Sequence, residues 1–171
     1  MAESLVEFFL NIFGDLQALK YGKELIVFII SLMPILELRG GLIAAALLGL
    51  DIVPAFIICL IGNILPLPFI LLFITKIFEW MRKWPKLKKL VDKIEKKAMS
   101  KKDKIEKAEF LGLLLFVGIP LPGTGGWTGT LIAALLNMYK KKAIIAILLG
   151  VLLAGIIVGS LSFGLSKAIT G

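Results

Sequence analysis

Two of the four long apolar stretches in this chain are interrupted at their middle, where a membrane-spanning helix should be most apolar. The first interrupted stretch, residues 25–50, contains PILELRGG, and the second, residues 110–138, contains PLPGTGGWTG. Each flanking limb has about ten residues, or roughly 15 Å as helix, which is half of a ~30 Å hydrocarbon layer. Proline, glycine and charge therefore lie where a helix would cross the centre of a bilayer.

The other two stretches, residues 52–78 and 143–166, are long enough to cross a membrane. The whole chain is 58% hydrophobic and only 19% charged, with a mean hydropathy of +0.96, which predicts an integral membrane protein. Prolines in residues 52–78 predict a kink or break: Pro54, Pro66 and Pro68. Glycines in residues 143–166 favour close helix packing: Gly150, Gly155, Gly159 and Gly164.

Residues 82–107 carry the whole net charge of the chain. They hold twelve Lys or Arg and four Asp or Glu, a surplus of +8. Positive charge beside apolar spans indicates the cytoplasmic side, and a polybasic segment there is expected to lie against anionic lipid head groups. Apolar residues at helical spacing favour a basic amphipathic helix over a solvated loop: Leu87, Leu90, Val91 and Ile94. No nucleic acid is expected as a partner, because no aromatic platform accompanies the basic residues.

The interrupted stretches are either broken spanning helices or re-entrant hairpins that enter and leave on one face. If residues 110–138 spanned the membrane, Lys140, Lys141 and Lys142 would lie outside, against the positive-inside rule. A re-entrant hairpin returns them to the cytoplasm and is favoured. The first hairpin would then enter from outside, although Lys20 and Lys23 would lie there.

An internal repeat supports the hairpins. Residues 40–47, GGLIAAAL, match residues 129–136, GTLIAALL, at six of eight positions, and a spanning stretch follows each copy. We therefore predict a single all-α polytopic membrane domain, residues 1–171, built as an inverted repeat of two re-entrant helical hairpins that are each followed by a transmembrane helix. Residues 3–18 are predicted to form an interfacial amphipathic helix rather than a signal peptide.

Glu37 and Arg39 are ionisable residues inside the first interrupted stretch. Such groups in a membrane usually face a protein interior or an aqueous cavity, with a partner. They are two residues apart and would diverge on a regular helix, but an unwound tip would let them converge. They form either a buried pair that fixes the hairpin or a substrate and proton site, in which Glu37 loads a proton and Arg39 holds an anionic head group.

The second interrupted stretch contributes candidate site residues of a different kind. Prolines fix the backbone and glycines allow close approach, so amides at a half-helix N-terminus would form an anion site. The alternative is a passive helix break. Asn63, in residues 52–78, would bond a hairpin tip or satisfy backbone freed by Pro66. The candidates from this stretch are Pro120, Pro122, Gly123, Thr124, Gly125, Gly126, Trp127 and Thr128.

The sequence contains few of the residues that catalytic, metal or cofactor sites usually need. The chain has no histidine and one cysteine, Cys59. We therefore expect neither a metal nor a cofactor, and no enzyme activity. The GTGGWTG segment is not expected to bind a nucleotide, since no GK[ST] motif occurs.

PILELRGG, the Asn63-bearing second stretch and IPLPGTGGWTG together resemble the small multidrug export protein family of bacteria and archaea, which looks related to the DedA (VTT-domain) superfamily. The resemblance spans residues 25–166. It implies two re-entrant hairpins that meet at mid-membrane, with proton-linked movement of lipids such as polyprenyl phosphates. An acidic residue in the first hairpin matters in that superfamily, and Glu37 matches it. The superfamily also carries arginines in the second hairpin; this chain has none there, so Arg39 and the amides of Gly123–Gly126 would hold the phosphate.

These observations predict a multi-pass transporter in the cell membrane of a bacterium or archaeon, which moves an anionic amphiphilic lipid between leaflets, with membrane lipid as its partner and substrate. A chain this small is expected to form a homodimer that encloses its mid-membrane polar groups. Two alternatives stay open: a proton-coupled exporter of small lipophilic cations that uses Glu37 as counter-ion, and a membrane scaffold that transports nothing.

Overall fold

The computed structural model of the protein describes residues 7–8, 11–13, 16, 19–99, 109–136 and 138–170. All regular elements among these residues are helices, which confirms the predicted all-α class. Most of the predicted interfacial helix, residues 3–18, lies outside the described residues. The helices are α1 Gly22–Leu32, α2 Glu37–Leu47, α3 Ile52–Ile64, α4 Leu67–Met81, α5 Pro85–Met99, α6 Glu109–Gly118, α7 Gly126–Leu135 and α8 Lys140–Thr170.

Two helical stretches are long and apolar enough to cross a membrane, Ile52–Ile74 and Lys140–Gly164, with mean hydropathies of 2.6 and 2.9. Only 28% of the first and 44% of the second is buried inside the protein. A core helix of a soluble protein would bury its apolar side chains, whereas both of these helices leave several large apolar side chains exposed. Their exposed apolar surface is the surface expected of helices that face lipid.

The chain forms two compact units, residues 1–66 with 151–171, and residues 67–150. In the first unit α1 and α2 fold back on each other as a helical hairpin, which we call the first hairpin. Lys23 Nζ, near the start of α1, donates a hydrogen bond to the carbonyl oxygen of Leu48, just after α2, at 2.8 Å. Closer to the tip, Gly41 of α2 packs so tightly on Ser31 of α1 that a Cβ atom added to this glycine would lie 1.9 Å from Ser31 Oγ. Contacts at both levels require the two helices to run antiparallel.

Helix α3 packs on both helices of the first hairpin. A Cβ placed on Gly41 would also lie 2.9 Å from Cys59 Sγ, and one placed on Gly62 would lie 2.9 Å from the carbonyl oxygen of Phe28. Small residues thus let the three helix backbones approach closely, as in membrane helix packing. Ser31 lies at the centre of this contact, is fully buried, and donates its hydroxyl proton to the carbonyl oxygen of Val27 at 2.8 Å.

The C-terminal part of α8 contributes glycines to the first unit. A Cβ on Gly155 would lie 2.8 Å from the Phe56 ring and 3.2 Å from Leu38 Cδ2, so the helix approaches α2 and α3 closely at this residue. At Gly159 the nearest side-chain atoms would be 3.8 Å away. Nothing lies within 4 Å of a Cβ at Gly164. The close packing predicted for these glycines therefore holds at Gly155 and not at Gly164.

The second unit contains a second hairpin, formed by α6 and α7. A Cβ on Gly129 of α7 would lie 2.4 Å from Val117 Cγ2 and 3.5 Å from Leu113 Cδ1 of α6. Helix α8 begins against this hairpin, because a Cβ on Gly150 would lie 2.7 Å from the carbonyl oxygen of Leu114. Helices α4 and α5 pack on α7. Entry of the two hairpins into a bilayer from opposite faces stays a prediction.

Both breaks are shorter than predicted. The first covers Met33–Leu36 and the second covers Ile119–Gly125, so the ELRGG and GWTG segments are helical. Glycine is tolerated in these helices where a neighbouring element needs the space, as at Gly41 and Gly129. The predicted break in residues 52–78 occurs at Leu65–Pro66, between α3 and α4. Pro54 and Pro68 lie in first turns, where no amide is needed for the helix.

Pro85–Met99 of the basic segment form α5, and residues 100–107 of the segment lie outside the described residues. Val91 is fully buried, whereas Lys88, Lys89 and Lys93 are exposed, so the helix has an apolar and a basic face. At the start of this segment Arg82 forms an exposed ion pair with Glu95. Surface pairs of this kind contribute at most about 1 kcal/mol, so packing of the apolar face dominates.

A candidate binding site at the first hairpin

The break of the first hairpin is a four-residue turn that ends at a charged residue. Pro34 and Ile35 are exposed at the tip, Ile35 by 80%. The amide of Glu37 donates a hydrogen bond to the carbonyl oxygen of Met33 at 2.9 Å, which closes the turn. Pro34 disfavours helical backbone at the residue before it, Met33, which is extended at ψ 137°.

Glu37 begins α2 in a conformation that side chains rarely adopt. Its φ is 53°, the left-handed region, and it is the one non-glycine residue with positive φ among the described residues. Such a conformation costs an L-residue about 1–2 kcal/mol. The residue is also only 5% exposed, so an ionisable residue is buried on a strained backbone. Strain of this kind persists where the surrounding structure enforces it and often accompanies function.

Arg39 is half-buried, and its guanidinium interacts electrostatically with Glu37. On a regular helix residues two apart would point to different faces. Both residues lie in helix α2 rather than in an unwound tip, and their convergence on one ligand stays a prediction.

Asn63 lies on α3 and is 2% exposed. Its Oδ1 atom is buried, and none of the described residues donates a hydrogen bond to it. Gly41 of α2 packs on Cys59 of α3. Asn63 lies one helical turn after Cys59, and Glu37 lies one helical turn before Gly41. Because α2 and α3 are joined by a short loop and run antiparallel, Glu37 and Asn63 lie at the same level of the first unit.

The break of the second hairpin is held by a side-chain hydroxyl. Thr124 Oγ1 lies 2.9 Å from the carbonyl oxygen of Ile119 and 2.8 Å from that of Leu121, and it accepts a hydrogen bond from the Leu121 amide. Gly123 has φ 78° and Gly125 has φ 144°, so the loop uses glycine where an L side chain would be strained. The Thr124 hydroxyl therefore satisfies backbone groups of the loop, as expected of a helix break.

The remaining candidates lie around this break. Pro120 is half-buried and Pro122 is exposed. Gly126 is buried in the first turn of α7, beside the half-buried Trp127 and Thr128. These residues belong to the second unit, whereas Glu37, Arg39 and Asn63 belong to the first. The meeting of the two tips stays a prediction.

Sequence reasoning missed a pocket at the base of the first hairpin. It has a volume of about 620 Å³ and contains two polar residues, Asp51 and Ser160. No motif signals it, because its lining comes from a loop and a distant helix: Ala46, Gly49, Leu50, Asp51, Ile52, Val53, Ser160, Phe163 and Gly164. No cluster of acidic, cysteine or histidine residues in the described part of the chain could hold a metal ion.

Comparison with protein families gives a match that covers most of the chain, including the candidate site at the first hairpin. Residues 37–157 match the model of a family described as "Putative small multi-drug export protein". The chain belongs to this family. Neither a curated protein nor a solved structure matches it.

Membership of the small multi-drug export family, together with the exposed apolar helices, makes the chain a membrane protein of an export family. The matched region begins at Glu37 and includes Arg39, Asn63 and the second break. The family description agrees with the export alternative rather than with lipid movement. A relationship to the DedA superfamily stays a prediction.

Proposed function

We propose that this protein exports small lipophilic cations in exchange for protons, with Glu37 as the group that binds each in turn. The observation that carries the proposal is the buried, strained Glu37 at the break of an apolar hairpin. A carboxylate there needs a positive partner or a proton, because an isolated charge in such surroundings is costly. The family description supports export of drug-like molecules, and the buried carboxyl group favours cationic ones.

Arg39 has a defined part in this scheme. Its interaction with Glu37 neutralises the carboxylate when the site holds no substrate. A lipophilic cation or a proton must compete with Arg39 for the same carboxylate, so only one of the three is bound at a time. Mutually exclusive binding of a proton and a cation is the condition for their coupled exchange.

The test uses purified protein in vesicles with an imposed pH gradient and a fluorescent lipophilic cation. Glu37→Gln is expected to abolish gradient-driven accumulation, because the amide neither ionises nor carries a proton. Glu79→Gln is the matched control, since Glu79 is exposed on α4. Unchanged accumulation in Glu37→Gln, or no accumulation by the wild-type protein, would overturn the proposal.

A second candidate is movement of an anionic amphiphilic lipid, a polyprenyl phosphate or phospholipid, between leaflets. The half-buried Arg39 favours it, because a guanidinium fork suits phosphate. Leaflet exchange of a labelled lipid should then require Arg39, and Arg39→Gln should remove it. If vesicles show neither cation accumulation nor lipid exchange, a non-transporting scaffold is the function that remains.

The basic helix α5 supports a further element of the proposal, contact with anionic head groups on the cytoplasmic side. Lys88, Lys89, Lys93 and Lys96 of this helix are exposed, and Trp80 and Trp84 are 56% and 57% exposed just before it. Tryptophan is enriched at membrane–water interfaces, and basic residues bind anionic lipid. Both features occur together at the end of α4.

A further inference from the structure

Asn63 presents a buried hydrogen-bond acceptor that the fold does not use. Its Oδ1 atom is inaccessible, and no described residue donates to it. Buried polar atoms in proteins are nearly always paired, so each exception requires an explanation such as a ligand. Replacement by an apolar side chain would remove the unmet acceptor, which means that stability alone does not account for Asn63.

The position of Asn63 associates it with Glu37. Gly62, its neighbour, packs against Phe28 and Ser31, the last two turns of α1 before the tip. On α2, the residue at the level of Asn63 is Glu37, which lies one helical turn from the contact between Gly41 and Cys59. Two oxygen acceptors, one charged and one neutral, therefore lie at the tip end of the first unit.

We infer that Glu37 and Asn63 together bind the ammonium group of a protonated amine. This inference rests on the proposed export of lipophilic cations and specifies the substrate class. The Glu37 carboxylate neutralises the charge in place of Arg39, and Asn63 Oδ1 accepts an ammonium N–H. A quaternary ammonium carries the same charge but no N–H, so it leaves Asn63 unsatisfied. A site built around such a bond rejects analogues that lack the donor.

The experiment compares two probes of similar size and lipophilicity: a tertiary alkylamine that is protonated at the assay pH, and its N-methyl quaternary salt. Transport of each is measured in vesicles under the same pH gradient. The wild-type protein is expected to prefer the tertiary amine by about tenfold or more. Asn63→Leu should reduce transport of the tertiary amine to the level of the quaternary salt.

Two further variants separate this inference from the proposed function. Asn63→Asp keeps an oxygen acceptor and should retain the preference for the tertiary amine. Glu37→Gln should abolish transport of both probes. Equal transport of both probes by the wild-type protein, with Asn63→Leu unchanged, would overturn the inference and leave cation export intact.

Thermal unfolding in detergent distinguishes a binding role of Asn63 from a structural one. Because Oδ1 has no donor among the described residues, Asn63→Leu should unfold at the same temperature as the wild-type protein or higher. A lower unfolding temperature, with the loss of both substrates, would show that Asn63 maintains the hairpin and would overturn the inference.

Discussion

The left-handed backbone of Glu37 determines what this residue contributes. The conformation turns the chain from the break into α2 at a residue that is only 5% exposed. Asparagine or glycine would meet the backbone requirement at lower energy, because both tolerate this region. The presence of glutamate at this position therefore favours a chemical role over a purely structural one.

Two neutral variants of Glu37 should differ in stability for this reason. Glu37→Asn and Glu37→Gln both remove the charge, but asparagine tolerates positive φ better than glutamine. We expect Glu37→Asn to be the more stable of the two by about 0.5–1 kcal/mol. Thermal unfolding of both variants in one detergent measures the difference. Equal unfolding temperatures would mean that the backbone at residue 37 is not strained.

At the level of elements, the sequence predicted where the helices break but not how far the breaks extend. Pro34 and the Pro120–Pro122 pair identify both turns, because proline restricts the backbone around it. Gly41 and Gly129 suggested longer unwound segments, yet both are helical where another helix approaches closely. Glycine alone cannot distinguish a flexible turn from a tight contact, since the distinction depends on tertiary neighbours.

The candidate site shows the same limit. Charge within an apolar stretch was enough to identify Glu37 and Arg39. The left-handed backbone of Glu37 could not be predicted, because local propensity opposes it. The unmet acceptor of Asn63 also depends on how α3 packs against the first hairpin, which no local pattern encodes.

Gly41 offers a test of the contact between α1, α2 and α3. Gly41→Ala should destabilise the protein by about 1–3 kcal/mol, because its Cβ would overlap Ser31 Oγ. Adding Ser31→Ala removes the oxygen and should recover part of the loss. Gly159→Ala, with 3.8 Å to its nearest side-chain atom, is the control. A double mutant no more stable than Gly41→Ala would contradict this packing.

At the scale of the whole molecule, each of the two units contains one helical hairpin and one part of α8. The two hairpins differ in the ionisable residues that they carry at aligned positions. The repeat aligns Gly40 with Gly129, so Glu37 corresponds to Gly126 and Arg39 to Thr128. The second hairpin thus lacks ionisable groups at these positions. The proton-binding role proposed for Glu37 therefore has no counterpart at the aligned position of the second hairpin.

Thiol labelling tests the predicted membrane topology. Single cysteines at positions 109 and 140, on either side of the second hairpin, should react from the same side of sealed vesicles if the hairpin is re-entrant. An impermeant maleimide, applied to vesicles of known orientation, measures this. Labelling from opposite sides would establish a spanning segment and would place the lysines after Tyr139 across the membrane from α5.

The single native thiol, that of Cys59, is not accessible to reagents in this structure, because it is buried where Gly41 and Ser31 meet. A permeant reagent can reach it only when α1, α2 and α3 separate. The rate at which the Cys59 thiol reacts therefore measures separation of these helices in the unmodified protein. A rate that rises when substrate is added would show that the helices separate during transport. A thiol that does not react would mean that the three helices move as one rigid body.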